Sequence, residues 1–191
     1  AQVVGLGGAL GAPGGIDLRC ALAVMSDAGA GPGLVRLLSG ARWRIGPGAL
    51  QRLGGVAAAL TAHGYGPERS DADRETIRAG MRASRAASEA PSLSDALEEV
   101  ARPHSRYRSR FSDSELERFE QAAVLFRGLR RRRRGSLGEL VRAVIQSLEL
   151  DVELVANERR IHPGENLRLV LDKVGEYERA ATHPTVTGLL A

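Results

Sequence analysis

The chain has 191 residues, a net charge of +4, 43% hydrophobic residues and only 4% aromatic ones. That length supports one sizeable core, built mainly from Leu, Val and Ala because aromatics are scarce. The modest basic excess permits anionic partners without demanding them. Cys20 is the sole cysteine, which excludes an intrachain disulfide framework and a cysteine-based zinc site.

In chain order, Gln2–Val4 reads as a short strand closed by Gly5, Gly7 and Gly8. GLGGALG is not the GxGxxG of a dinucleotide turn, so no cofactor follows from it. Pro13-Gly14-Gly15 reads as a break before a helix over Asp17–Met25, with Leu18, Leu22 and Met25 on one face and Cys20 as a small core thiol. Gly29–Gly33 reads as a loop. Leu34–Leu53 then predicts two helical arms joined by a tight turn, a helix–turn–helix hairpin. Leu34, Leu37 and Leu38 line the first arm, and Leu50 and Leu53 begin the stripe of the second. Gly46 suits an unusual backbone angle, and Pro47 is placed to open a helix. Unpaired N–H groups at that helix start, with the positive end of its dipole, form a seat for a phosphate. Arg42 and Arg44 flank the seat, Gly46 and Gly48 offer backbone donors, and Arg52 is nearby. Trp43 is expected to pack beneath the bend.

The second arm continues through Ala57 and Leu60 to His63-Gly64. Residues 66–91 are polar, with Ile77 and Met81 as the large apolar anchors, and read as a mobile insertion or a solvated helix. Ser92 signals a helix cap, with Leu93, Leu97 and Val100 as the buried side. His104–Phe111 interleaves Arg106, Arg108 and Arg110 with Tyr107 and Phe111. This is either a solvated interhelix loop or a single-strand reader in which aromatics stack on bases. Ser112 with Glu115, and Ser136 with Glu139, are capping boxes. The first opens a long helix carrying Leu116, Phe119, Ala123, Phe126 and Leu129, and the second a helix with Leu137, Leu140, Val141, Val144 and Leu148 inward. Between them Arg130, Arg131, Arg132, Arg133 and Arg134 make a basic run. It either complements the helix dipole or, with Arg106, Arg108 and Arg110, forms a secondary basic patch for nucleic acid. Leu150–Val155 fits strand or helix. Glu165–Ala181 is helical with Leu167, Val170, Leu171, Val174 and Tyr177 inward, and Thr185–Ala191 is too short to pack alone.

The absences narrow the chemistry. There is no GxxxxGK[ST] phosphate loop and no GxSxG elbow, and the four histidines are scattered. Carboxylates are many but stand beside arginines, where ion pairing is their usual role. No catalysis by this chain alone is expected. No apolar run of about 18 residues and no leader pattern occurs, so a soluble protein of the bacterial cytoplasm, without membrane partners, is expected.

Several separated blocks carry a resemblance. VVGLGGAL at Val3–Leu10, Asp17, LVRLLSGARWRIG at Leu34–Gly46, SLGELVRAVIQSLELDVEL at Ser136–Leu154, Glu165-Asn166-Leu167 and Thr187–Ala191 occur in the order found in the accessory region of UvrD-like superfamily 1 DNA helicases. The chain is most similar to the actinobacterial branch that includes helicase–nuclease subunits. The likeness covers nearly everything but the middle, and it implies accessory subdomain 2B. On that resemblance residues 1–10 are a strand arriving from the motor, residues 185–191 the return to it, and the chain a fragment of an ATP-dependent helicase. ATP and magnesium then belong to the parent enzyme, with no cofactor in this chain. The implied role is to hold duplex DNA by its backbone and to regulate the motor, with the motor subdomains as partners and a second helicase subunit as a further candidate. Relatives often carry Arg-Thr where this chain has Gly48-Ala49, which leaves backbone donors in place of those side chains. The fold expected is all-α, with about six or seven helices and a strand-like N-terminal lead-in. A protein-docking module and a free-standing helical nucleic-acid binder are the other functions considered.

Overall fold

Both capping boxes form as the sequence dictates, and each starts a helix at the residue after its serine. Ser112 Oγ accepts from Glu115 N while the Glu115 carboxylate accepts from Ser112 N; Ser136 and Glu139 repeat the exchange. In a computed structural model, which describes residues 13–27, 29–63, 92–133, 135–150 and 165–190, the elements are all helical. They are α1 Pro13–Ser26, α2 Gly31–Ser39, α3 Pro47–His63, α4 Leu93–Val100, a 3-10 turn at Arg108–Arg110, α5 Asp113–Arg132, α6 Leu137–Ser147, α7 Glu165–Ala180 and α8 Val186–Leu190. The all-α class is as expected, and among the described residues there is no strand. The expected strand over residues 1–10, the insertion at 66–91 and most of Leu150–Val155 lie outside the described residues.

Two expected breaks are helical instead. Pro13-Gly14-Gly15 forms the first turn of α1, and Gly31-Pro32-Gly33 the first turn of α2. A helix start has no intrahelical use for its first N–H groups, so proline fits there as well as in a loop. Gly33 also lets α2 lie close on α1: a Cβ there would stand 3.4 Å from that of Cys20. Cys20 is half-buried, and burial raises its thiol pKa. Arg36 Nε donates to Asp17 Oδ1 at 2.6 Å, tying the same two helices at their surface.

The stripes meet around α5. Phe119, Phe126 and Leu129 are fully buried among Leu18 and Leu22 of α1, Leu34 and Leu38 of α2, Leu53 and Val56 of α3, Leu97 and Val100 of α4 and Val141 of α6. Each such side chain contributes roughly 1.5–3 kcal/mol relative to exposure. α1 packs on α2, α5, α6 and α8; α4 joins α3 to α5; α7 covers α6. Val186 and Leu189 are buried, so the short terminal segment packs through α1.

α6 is fixed at its start by a residue remote in sequence. Glu178 of α7 accepts from Leu137 N at 2.5 Å and from Gly138 N at 3.1 Å, beside the box that holds Glu139 N. Removing the carboxylate leaves two donors of buried residues without partners, a cost of about 1–3 kcal/mol. Glu178→Ala is therefore expected to lower unfolding stability by that amount in urea titrations followed by Trp43, the single tryptophan, whereas Glu178→Gln, which retains an acceptor, loses less.

Candidate nucleic-acid interface

The hairpin turn is built by alternation. Trp43 and Ile45 are each 3% exposed, and burying both forces Arg42 and Arg44 outward on either side. The indole is tilted on Phe126 of α5 with ring centroids 5.8 Å apart, so the turn is anchored to the longest helix. Gly40 N closes α2 on Arg36 O and Leu37 O, Arg44 N returns to Gly40 O, and Ile45 N returns to Leu38 O. The left-handed residue is Arg44, with φ 48°, and not Gly46 as the sequence suggested. Two inward side chains separated by one residue leave Arg44 to reverse the chain. Arg44 Nε donates to Ala41 O, which leaves its terminal nitrogens for other partners.

The amide seat is narrower than a bare helix start. Gly46 O accepts from Ala49 N and Leu50 N, Ile45 N is used internally, and Pro47 has no N–H. From Ile45 to Leu50 the amides without a partner are those of the exposed Gly46 and Gly48, the two expected to be donors. No side chain caps this start, in contrast to α4, α5 and α6, which open on Ser92, Ser112 and Ser136. Arg118 of α5 reaches the turn from below: its Nη1 donates to Arg44 O at 3.1 Å. Sequence reading did not single out Arg118; its exposed register on α5 was the available signal, but nothing local ties it to a residue 74 positions earlier.

The expected contact residues fare differently. Arg42 is exposed; it pairs with the still more exposed Glu149 at 3.0 Å and lies over the Trp43 ring. Arg52 pairs with Glu115 at 2.7 Å and covers Phe111 at 5.6 Å, so it joins α3 to the capping box of α5. It is a structural residue first. Arg108 turns inward, donating to Glu120 Oε1 at 2.6 Å and to Val100 O, and leaves the expected secondary patch. Arg106 and Arg110 flank Tyr107, with guanidinium carbons 4.9 and 5.0 Å from its ring centre. Tyr107 and Phe111 are buried, so the single-strand reader considered from sequence has no free ring here on which a base stacks.

The rest of that patch is at the other end of α5, about 30 Å away along a 20-residue helix. Arg127 and Arg130 share the carboxylate of Glu98, and Arg133 donates to Met25 O. Arg131 and Arg132 are exposed and have no carboxylate partner among the described residues. Arg134 lies outside them. The expected single patch is thus two. Among the described residues no group of His, Cys, Asp and Glu is arranged to hold a metal ion, and no helix is long and apolar enough to cross a membrane.

The Glu115 carboxyl is held below its ordinary pKa, first by the Ser112 backbone N–H and also by Arg52. A lowered folded-state value stabilises the fold above the unfolded value near 4.5 and is lost as pH falls through the lower one. Glu115→Gln is expected to be less stable than wild type at pH 7, with the gap closing as denaturation is repeated at successively lower pH. No protein-family model matches this chain, and no curated protein is found to be similar to it.

Proposed function

We propose that this chain is an accessory, duplex-holding domain of an ATP-dependent DNA helicase of the UvrD-like kind, gripping the DNA backbone through the α2–α3 hairpin without reading bases. The observation that carries the reading is the outward pair Arg42 and Arg44 beside the unpartnered amides of Gly46 and Gly48. Two guanidiniums and two N–H groups carried by one short turn suit a phosphate, which accepts from both kinds of donor. The resemblance of Leu34–Gly46 to the helicase accessory region supplies the parentage, with ATP and magnesium belonging to motor segments outside this chain.

The internal partners do not oppose the role equally. The pair of Arg42 with Glu149 is exposed, and such pairs contribute about 0–1 kcal/mol, so a phosphate readily replaces the carboxylate. Arg52 is held by both a carboxylate and a ring, and its contribution to DNA contact is secondary.

A second reading, docking of a partner subunit or of the motor, draws on the same arginines, because this chain already satisfies many of them with carboxylates. Salt separates the two. Anisotropy titrations with unrelated 20-base-pair duplexes (about two turns) are expected to give equal affinities and a linear fall of log K with log salt, roughly 0.9 per phosphate neutralised. Arg42→Ala and Arg44→Ala each make that slope shallower by about one, while Arg52→Ala mainly costs stability, about 1 kcal/mol. Binding that ignores salt, or depends on sequence, removes the duplex-backbone reading.

A further inference from the structure

The solvent side of α5 carries cations that the hairpin does not use. Arg131 and Arg132 stand next to each other at its C-terminal end, exposed and without a carboxylate among the described residues. Stabilising the helix end does not require them, since Arg130 and Arg133 already occupy that turn and are bonded into the fold. Two adjacent unneutralised guanidiniums repel each other, which an outside anion relieves.

Their direction is informative. At about 100° per residue, Arg132 returns to within roughly 40° of Arg118, about 21 Å further along the helix, while Arg131 stands about 140° from Arg118, on the far flank of the exposed side. Arg118 is the residue whose guanidinium meets the hairpin at Arg44 O. The exposed surface between them is made by Gln121, Val124 and Gly128, and a Cβ added at Gly128 would meet nothing within 4 Å. The cations between them in sequence, Arg127 and Arg130, are both paired with Glu98. Glu117, exposed and one residue ahead of Arg118, reaches into this stretch, its carboxylate accepting from the Gln121 amide.

We infer that α5 is the track between two phosphate-contact zones, the hairpin with Arg118 at one end and Arg131 with Arg132 at the other, and that one duplex bridges both. This rests on the hairpin reading and extends it by fixing how the duplex lies. A separation of about 21 Å is less than one duplex turn of about 34 Å, so both contacts fall within a single turn. The uncharged middle and Glu117 make it a two-point contact, with the duplex held at the ends of the track.

The test uses the whole 191-residue chain and blunt 20-base-pair duplexes (about two helical turns), with folding of each variant checked by circular dichroism. Wild type is expected to bind one duplex per chain. The double variant Arg131→Gln, Arg132→Gln has a log K against log salt slope shallower by about 1.8, at roughly 0.9 per contact. Charge reversal to Glu at both positions weakens binding further, and Glu117→Gln tightens it. An unchanged slope in the double variant, alongside a shallower one in Arg42→Ala with Arg44→Ala, overturns the second zone and leaves the hairpin reading standing. Two duplexes per chain, one of them lost in the double variant, overturns the bridge. Unchanged affinity in Glu117→Gln places the duplex off the track and overturns it too. No binding by wild type at low salt removes the hairpin reading itself.

Discussion

The contact between Trp43 and Phe126 is the one on which the surface depends. It takes an aromatic from a seven-residue turn and buries it against the middle of α5, and everything exposed on that turn is exposed because Trp43 and Ile45 are not. Aromatic burial of this size dominates local packing energies, and in a chain with few aromatics there is no substitute nearby. The outward arginines, the reversal at Arg44 and the hydrogen bond from Arg118 are consequences of that placement rather than separate devices.

Charge is distributed by a simple division. Where a carboxylate is in reach, arginine serves the fold: Arg36 with Asp17, Arg52 with Glu115, Arg108 with Glu120, and Arg127 and Arg130 with Glu98 each tie one element to another. Arg44, Arg118, Arg131 and Arg132 are exposed and have no carboxylate partner among the described residues, Arg44 and Arg118 bonding backbone carbonyls instead. Near the surface each pair contributes little, so the first group matters mainly by fixing geometry. The second group sets the electrostatic character of one side of α5.

What the sequence shows reliably is what depends on neighbours a few residues away. The boxes at Ser112 and Ser136, the cap at Ser92, and the stripes of Leu18, Leu22 and Met25 or Leu137, Leu140 and Val144 all form as read. The outward Arg42 and the open amides of Gly46 and Gly48 were legible for the same reason. Partners far along the chain were not. Glu178 reaching the start of α6, Glu115 drawing in Arg52 and Glu98 collecting two arginines are decided by how helices cross, which periodicity does not encode. The basic run divided for a related cause: composition counts arginines, but which of them stay free depends on where acids from other helices arrive.

The left-handed backbone at Arg44 has a further consequence. A side chain in that region costs of order 1 kcal/mol or more compared with glycine. Glycine or asparagine would relax the turn, yet either would erase the cation. If Arg44 makes the proposed phosphate contact, selection for thermal robustness and selection for grip pull this position in opposite directions, and a variant library screened only for heat resistance would be drawn toward discarding the arginine.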